Sequence, residues 1–578
     1  MVMPLDARIE RQGASRPRRS LLVVCLLFFC LAVVHIGLIV YLDNTNLGTT
    51  NGLWKTPVMH AWELGRAEYV DTGDLLYFPV YGFLCRHIPD KAVSYGVPGA
   101  VVTYRKMAML NALVAALASC AVFLLALRFT ASLLSALVVA VAHASSGFVL
   151  MHGINSEDVI PAYAFFVITV VLFFEYVSTR KLPWLALCAC ALALTTVFHW
   201  TLMIPALAAL GAALLALVVT RKRPAWALLV FPAFFLGTLG VASLILRSLG
   251  PSPLLRYSLL EILYPSKAAL NGYLGFGWNK VVSAAVGIGN YFAGARYGDS
   301  RSLSDPTLLR PILVSWGYGA LTAGACLLAL LSRATSGRLK LLAGFCGVLF
   351  LVGEFEHLYS QPQEGQSQIQ PMFISIAGLI IVVDYLQRKL ARRTFRLVAG
   401  AFFVAFVAIG MWNVKFMSAE RGDDSRSVAA VRQLAQIFPL NGYRLVSQGF
   451  EAWRTWWYVE VYRGRWDDFV SNDQGLVTPF IDSPGISGSD AAAVVKRHIG
   501  EAFAAGRRVV ACSLWVQDKA QFVGSLNTLV ERARAEAYDD ALRNAFPLGR
   551  NWDTPVGRFV ELLPAGDPAQ GDAGGREK

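Results

Sequence analysis

Charged residues are scarce in this chain. Asp, Glu, Lys and Arg make up 16% of its 578 residues against 55% hydrophobic ones, a balance that excludes an ordinary soluble globule. A Walker-type glycine-rich loop is missing, which argues against an ATP-driven pump. A repeat of fixed period is missing too, which argues against a solenoid. Cysteine is sparse and shows no zinc spacing. Seven of the nine (Cys25, Cys30, Cys120, Cys188, Cys190, Cys326 and Cys346) sit in apolar runs, where a thiol behaves as a small apolar side chain. Cys85 and Cys512 fall outside those runs, and nothing in the sequence joins them. Acid is the rarer charge, 39 Asp and Glu against 52 Lys and Arg, for a formal net charge of +13. That surplus is not a nucleic-acid footprint. From Lys415 onward 20 Lys and Arg meet 21 Asp and Glu, so the excess lies in the apolar part, much of it in short connections between runs.

Long apolar runs are what the chain has in abundance. Leu21–Tyr41, Ala131–Leu150 and Ile312–Leu331 are each about 20 residues, enough to cross roughly 30 Å of hydrocarbon as helix. Arg8, Arg11, Arg16, Arg18 and Arg19 precede the first run, which continues through His35 to Tyr41 and so reads as an uncleaved span. With those arginines inside, the short basic connections at Arg128, Arg180-Lys181, Arg221–Arg223, Arg333–Lys340 and Arg388–Arg396 all fall inside too, as the positive-inside rule requires. The long polar loops then lie outside.

The expected fold class is a polytopic α-helical membrane protein of about eleven transmembrane helices with a small C-terminal α/β soluble domain. Residues 1–19 form a cytoplasmic N-terminus and 20–414 the membrane domain, with long outer loops 43–105 and 247–310. Residues 415–565 form an extracytoplasmic domain and 566–578 a disordered tail. In that domain, helix spacing is read over Ser425–Phe438, Asp490–Phe503 and near Leu529–Ala545. Short strands are read at Arg444–Ser447, Arg508–Cys512 and Gly557–Leu562. The expected location is the plasma (inner) membrane.

Ionisable side chains at membrane depth fall nearly all on the outer side, and such groups are costly unless they serve a site. Asp43, Asp71 and Asp74 follow the first span, and Glu157 and Asp158 the third. His199 follows the fifth, and Glu354, Glu356 and His357 end the ninth, leading to Gln370. In the first loop, Thr56-Pro57 is a good helix start, and Val58–Val70 is amphipathic enough to lie along the membrane surface. Asp71 and Asp74 then stand beside an aromatic re-entry segment, Tyr77-Phe-Pro-Val-Tyr81-Gly82. Acids at 157 and 158 also suit a helix start, where they stabilise the dipole by about 0.3–1 kcal/mol. His199 also reads as a boundary residue where two helices turn. The run from Glu354 to Gln370 mixes carboxylates, imidazole, phenol and amides, which suit sugar hydroxyls. The loop 247–310 supplies cations and aromatics such as Arg256, Lys267, Trp278 and Arg296.

This layout resembles the GT-C superfamily of membrane glycosyltransferases, such as the protein O-mannosyltransferases and the lipid A aminoarabinose transferases, which use polyprenyl-phosphate-linked sugars. Its members carry an acidic motif in a long first outer loop, around a surface helix. The adjacent Asp-Glu and the Glu-Phe-Asp forms are absent here, so the catalytic place is shared among Asp71, Asp74 and Asp43. The resemblance implies that Glu157 or Asp158 binds a divalent metal (Mg or Mn) or positions substrate, and no other cofactor. It implies an inverting transfer from a polyprenyl-phosphate sugar, lying in the bilayer, to a glycan, lipid or protein acceptor. His199, Glu354, Glu356, His357 and Gln370 would line the substrate chamber. A transporter or flippase would instead put charges near the midplane of its spans, and a non-catalytic assembly subunit is the other alternative.

Overall fold

The computed structural model describes residues 17–42, 59, 62–65, 76–93, 99–221, 226–248, 278–294, 303, 306–359, 368–437, 443–446, 487–526, 532–554 and 557–564. Long apolar helices dominate. In chain order they are α1 (Pro17–Tyr41), α2 (Tyr77–His87), α3 (Gly99–Thr130), α4 (Leu133–Ala144), α5 (Gly147–Gly153), α6 (Val159–Thr179) and α7 (Leu182–Phe198). After these come α8 (Met203–Arg221), α9 (Ala227–Ser248), α10 (Trp278–Tyr291), α11 (Pro306–Leu331), α12 (Gly337–Tyr359), α13 (Phe373–Lys389) and α14 (Arg392–Ile437). Among the described residues, seven helices are long and apolar enough to cross a membrane, or eight if the bent pair α4–α5 is one span. The expectation of about eleven is met by that criterion only in part, because α7 and α13 have 17 residues each and α12 ends in acids.

Two kinds of apolar surface organise the bundle. α3 and α6 lie at its centre, α3 packing on α1, α4 and α6, and α6 on α7. The outer helices turn leucines and phenylalanines outward: Leu22 is 70% exposed and Leu397 75%. Exposed apolar side chains around an apolar bundle are what a lipid surface requires, since hydrocarbon rather than water meets them. Small residues set the closest helix approach. A Cβ on Gly378 of α13 would lie 2.1 Å from the Thr322 carbonyl oxygen of α11, so only glycine fits there.

The run 131–150, read as one span, is instead bent by 66° between α4 and α5. A break in a buried helix leaves backbone groups that must find partners. Here the Gly147 amide donates to the Phe292 carbonyl (3.0 Å), and Asn413 of α14 donates to the carbonyls of Ser145 (2.8 Å) and Phe292 (3.0 Å). Beside the break, Ser119, His143 and Tyr163 link α3, α4 and α6. The two ring nitrogens of His143 lie 2.9 Å from the Ser119 and Tyr163 hydroxyls.

The helical reading of Ser425–Phe438 holds to Ile437, as the last part of α14, which runs unbroken from Arg392. Beyond it lie β1 (Tyr443–Val446), α15 (Gly488–Ala504), β2 (Arg508–Ala511), α16 (Lys519–Leu526), α17 (Arg532–Leu542), β3 (Leu548–Thr554) and β4 (Gly557–Leu562). The sheet order is β1-β2-β4-β3. β1 and β2 are parallel, and β4 is antiparallel to both its neighbours. Strand alternation divides its side chains between two faces. Val509, Ala511, Val560 and Leu562 pack with the apolar faces of α15 and α17, while Val510, Cys512 and Phe559 join the apolar cluster of the bundle. The strand β3 is an addition to the sequence reading: its polar residues conceal the pairing that only β4 reveals. None of the nine cysteines is in a disulfide, Cys85 and Cys512 included.

Candidate functional site

The connection between α5 and α6 enters the bundle rather than leaving it. Asn155, Ser156, Glu157 and Asp158 are all buried. Buried carbonyls need donors, and side chains from two other helices supply them. Asn111, an amide in the apolar face of α3, donates to the carbonyls of Asn155 (2.7 Å) and Glu157 (2.6 Å). The Tyr77 hydroxyl of α2 donates to the Ser156 carbonyl at 2.8 Å. Tyr81, one turn further on, donates to Asn111 Oδ1 at 2.7 Å and fixes the amide's orientation. Burial pushes the Tyr77 hydroxyl well above its ordinary pKa, with Tyr81 and the carboxylates of Asp158 and Glu157 adding to the effect. It therefore stays protonated and keeps its donor role.

With the backbone served by neighbours, the Asp158 side chain is left for another purpose. It stands at the N-cap of α6 yet makes no capping bond. Its Oδ2 lies 3.3 Å from His199 Nδ1. His199 is the C-cap of α7, in extended backbone. Glu356 of α12 lies near enough to His199 for their charges to interact. Asp158, His199 and Glu356 are thus gathered from three helices.

Two amides extend this group. Gln370 is fully buried and donates to the Leu202 carbonyl at 2.8 Å, just beyond His199. Gln368, also fully buried, is hydrogen-bonded with Glu354. The turn 368–372 is pressed onto α12 at Gly353, where a Cβ would lie 2.5 Å from the Pro371 ring. That contact sets the position of Glu354 and Glu356. Glu354 Oε1 and Glu356 Oε2 are buried with no hydrogen-bond partner among the described residues, which leaves both oxygens able to accept from a further polar group.

Asp43, Asp71 and Asp74 lie outside the described residues, as do Arg256, Lys267 and Arg296. For His357 only the backbone is described, within α12. The first loop nonetheless reaches the chamber, because the Leu76 amide donates to the Val197 carbonyl (3.0 Å), two residues before His199. The structure therefore brings together Glu157, Asp158, His199, Glu354, Glu356 and Gln370 of the residues singled out in the sequence. It adds Asn111, Tyr77 and Tyr81 as the frame. Asn111 carried a legible signal, a lone amide in a long apolar run, which is expensive unless it has partners.

A second polar group lies where residues 62–65 of the first loop meet α3. Lys106, almost wholly buried, pairs with Glu63 and with Asp90 (2.5 Å). Thr103 donates to Glu63 at 2.6 Å, and Arg86 donates to the carbonyls of Trp62 and Glu63. These bonds hold residues 62–65 against the bundle.

Among the described residues, no three His, Cys, Asp or Glu side chains are gathered so as to hold a metal ion. A divalent ion at Glu157 and Asp158 would need a further donor from elsewhere, and Asp158 is already engaged by His199.

No family model matches the chain, and no curated protein matches it. Among solved structures, it is similar to ArnT from Cupriavidus metallidurans bound to undecaprenyl phosphate. The TM-score is 0.49 and the identity 12%, over 93% of this chain and 97% of that one. The same protein in the apo state gives the same figures.

Proposed function

We propose that this protein is a membrane glycosyltransferase that moves a sugar from a polyprenyl-phosphate donor to an acceptor hydroxyl on the outer face of the membrane. The observation that carries this reading is the contact of buried Asp158 with His199, with Glu356 near the same imidazole, at the place where the first loop is tied down by Leu76 and Tyr77. Asp71 and Asp74 stand only a few residues before Leu76 in the chain. The layout of that loop is the one on which the family resemblance rests.

In this mechanism a carboxylate of the first loop, Asp71 or Asp74 with Asp43 third, accepts the proton of the acceptor hydroxyl. The acceptor oxygen attacks the anomeric carbon from the side opposite the phosphate. The bond from that carbon to the phosphate oxygen breaks, and the polyprenyl phosphate leaves with inversion. Cations of the loop 247–310 stabilise its charge. Glu157 and Asp158 position the reacting groups, with His199 holding the Asp158 carboxylate in place. Glu354, Glu356 and Gln370 bind sugar hydroxyls. A lipid-carried donor suits an outer-facing site, where nucleotide sugars are scarce.

The test is donor-dependent sugar transfer by Asp71→Asn, Asp74→Asn and Asp158→Asn proteins in membranes. At least one first-loop variant and Asp158→Asn are expected to lose activity by about 100-fold or more. Full activity in all three at normal protein levels would overturn the assignment. Substrate movement without sugar release would favour a transporter.

A further inference from the structure

The turn joining α13 to α14, remote from the chamber, carries five cations in nine residues: Arg388, Lys389, Arg392, Arg393 and Arg396. Asp384, one turn back on α13, takes Arg388 at 2.8 Å. The other four are exposed and have no carboxylate partner among the described residues. This arrangement is electrostatically costly in isolation. Arg392 and Arg396 are four apart on one helix face, where like charges repel. The first turn of α14 contains no acid, so its arginines also oppose the helix dipole. Other basic turns at this end are built differently. Arg128 is paired with Glu175, and the turn at 180–181 supplies two cations.

An apolar collar adjoins the patch. Tyr385 is 58% exposed and Leu397 75%, so the surface passes directly from free cations to groups that suit the headgroup level and hydrocarbon. Arg333, on the turn between α11 and α12, is exposed at the same end, since both those helices pack on α13. A ligand that satisfies both surfaces needs a phosphate and acyl chains together.

We propose that this turn binds an anionic phospholipid, its phosphate held by Lys389, Arg392, Arg393 and Arg396 and its chains lying along Tyr385 and Leu397. The lipid supplies the counter-charge that the sequence omits. Positive-inside placement alone accounts for the presence of cations. It does not account for four unpaired ones crowded on a two-residue turn whose neighbours are exposed and apolar.

The experiment uses the full chain in zwitterionic lipid micelles, with and without a diphosphatidylglycerol lipid. Bound lipid is counted by native mass spectrometry, and the thermal unfolding midpoint is measured. The anionic lipid is expected to stay bound and to raise the midpoint, and inorganic phosphate at equal concentration to do neither. Arg392→Gln/Arg393→Gln/Arg396→Gln should weaken lipid binding roughly 100-fold. The matching triple Lys variant, which keeps charge and topology, should retain most of it, as should Arg180→Gln/Lys181→Gln. The proposal fails if wild-type protein shows no preference for the anionic lipid, if phosphate alone reproduces the shift, or if the triple Gln variant binds as well as wild type. Should the triple Gln variant not fold, Arg393→Gln alone is expected to weaken lipid binding roughly fivefold, and binding equal to wild type would overturn the proposal.

Discussion

At its first turn α6 adjoins Glu157 and Asp158, both wholly buried, whereas near its last turn Glu175 lies part-exposed beside Arg128. The same contrast runs through the neighbouring helices. α13 begins beside the buried amides Gln368 and Gln370 and ends with Asp384 clasped by Arg388. α12 ends in Glu354 and Glu356, each with a buried oxygen lacking a hydrogen-bond partner among the described residues. At the basic end both carboxylates meet guanidinium groups, Glu175 at the surface, where such a pair adds about 0–1 kcal/mol, and buried Asp384 through the exposed Arg388. At the chamber end carboxylates are set against an imidazole, amides and one another, with the cost met by packing and by the hydrogen bonds of Asn111 and Tyr77. Acids that only need neutralising take the nearest arginine. Acids held without one mark the proposed site.

Exchanging a single atom at each end breaks this comparison most sharply. Asp158→Asn should lower sugar transfer by about 100-fold or more, while Glu175→Gln should leave it within about twofold. Equal losses at both ends, measured in membranes at matched protein levels, would remove the distinction. Gly353→Leu should come next, because the new side chain must displace the Pro371 ring. Overpacking of about 1–3 kcal/mol is expected as a lower thermal midpoint, with a fall in transfer as Glu354 and Glu356 shift.

Asn111→Leu removes the donors to two buried carbonyls, a penalty of about 1–3 kcal/mol. Its signature is lost activity together with faster proteolysis of the connection at 154–158, and unchanged protection there would show that the amide is not what holds it. The smallest effect belongs to Arg128→Gln, which should cost less than about 1 kcal/mol in unfolding and leave transfer unaltered. A larger loss would mean that the basic end is more than a charged border.

Much of this was readable from the chain, and the residues show why. The buried acids at 157 and 158, His199 and the run from Glu354 to Gln370 were visible because an ionisable or amide group between long apolar runs has no cheap place to go. The bend at Ser145–Gly147 was not visible, because its two serines and a glycine look like ordinary span residues. What makes a break tolerable there is the carbonyl of Phe292 and the amide of Asn413, both more than a hundred residues away in sequence. β3 escaped for a similar reason: its partner β4, not its own composition, makes it a strand. The unbroken α14 escaped because polarity rises along it while its helical backbone continues.

Sequence by itself determined that this is a membrane protein, where its apolar helices fall, and which side chains are too expensive to be there without purpose. Those are properties of solvation, and solvation is set residue by residue. Only the tertiary structure decided that Asp158 turns from its own helix to His199, that Glu356 comes near the same imidazole, and that Asn111 and Tyr77 carry the backbone of residues 155–157. Those are properties of geometry among helices distant in sequence, fixed by packing such as that of Gly353 on Pro371 and Gly378 on Thr322.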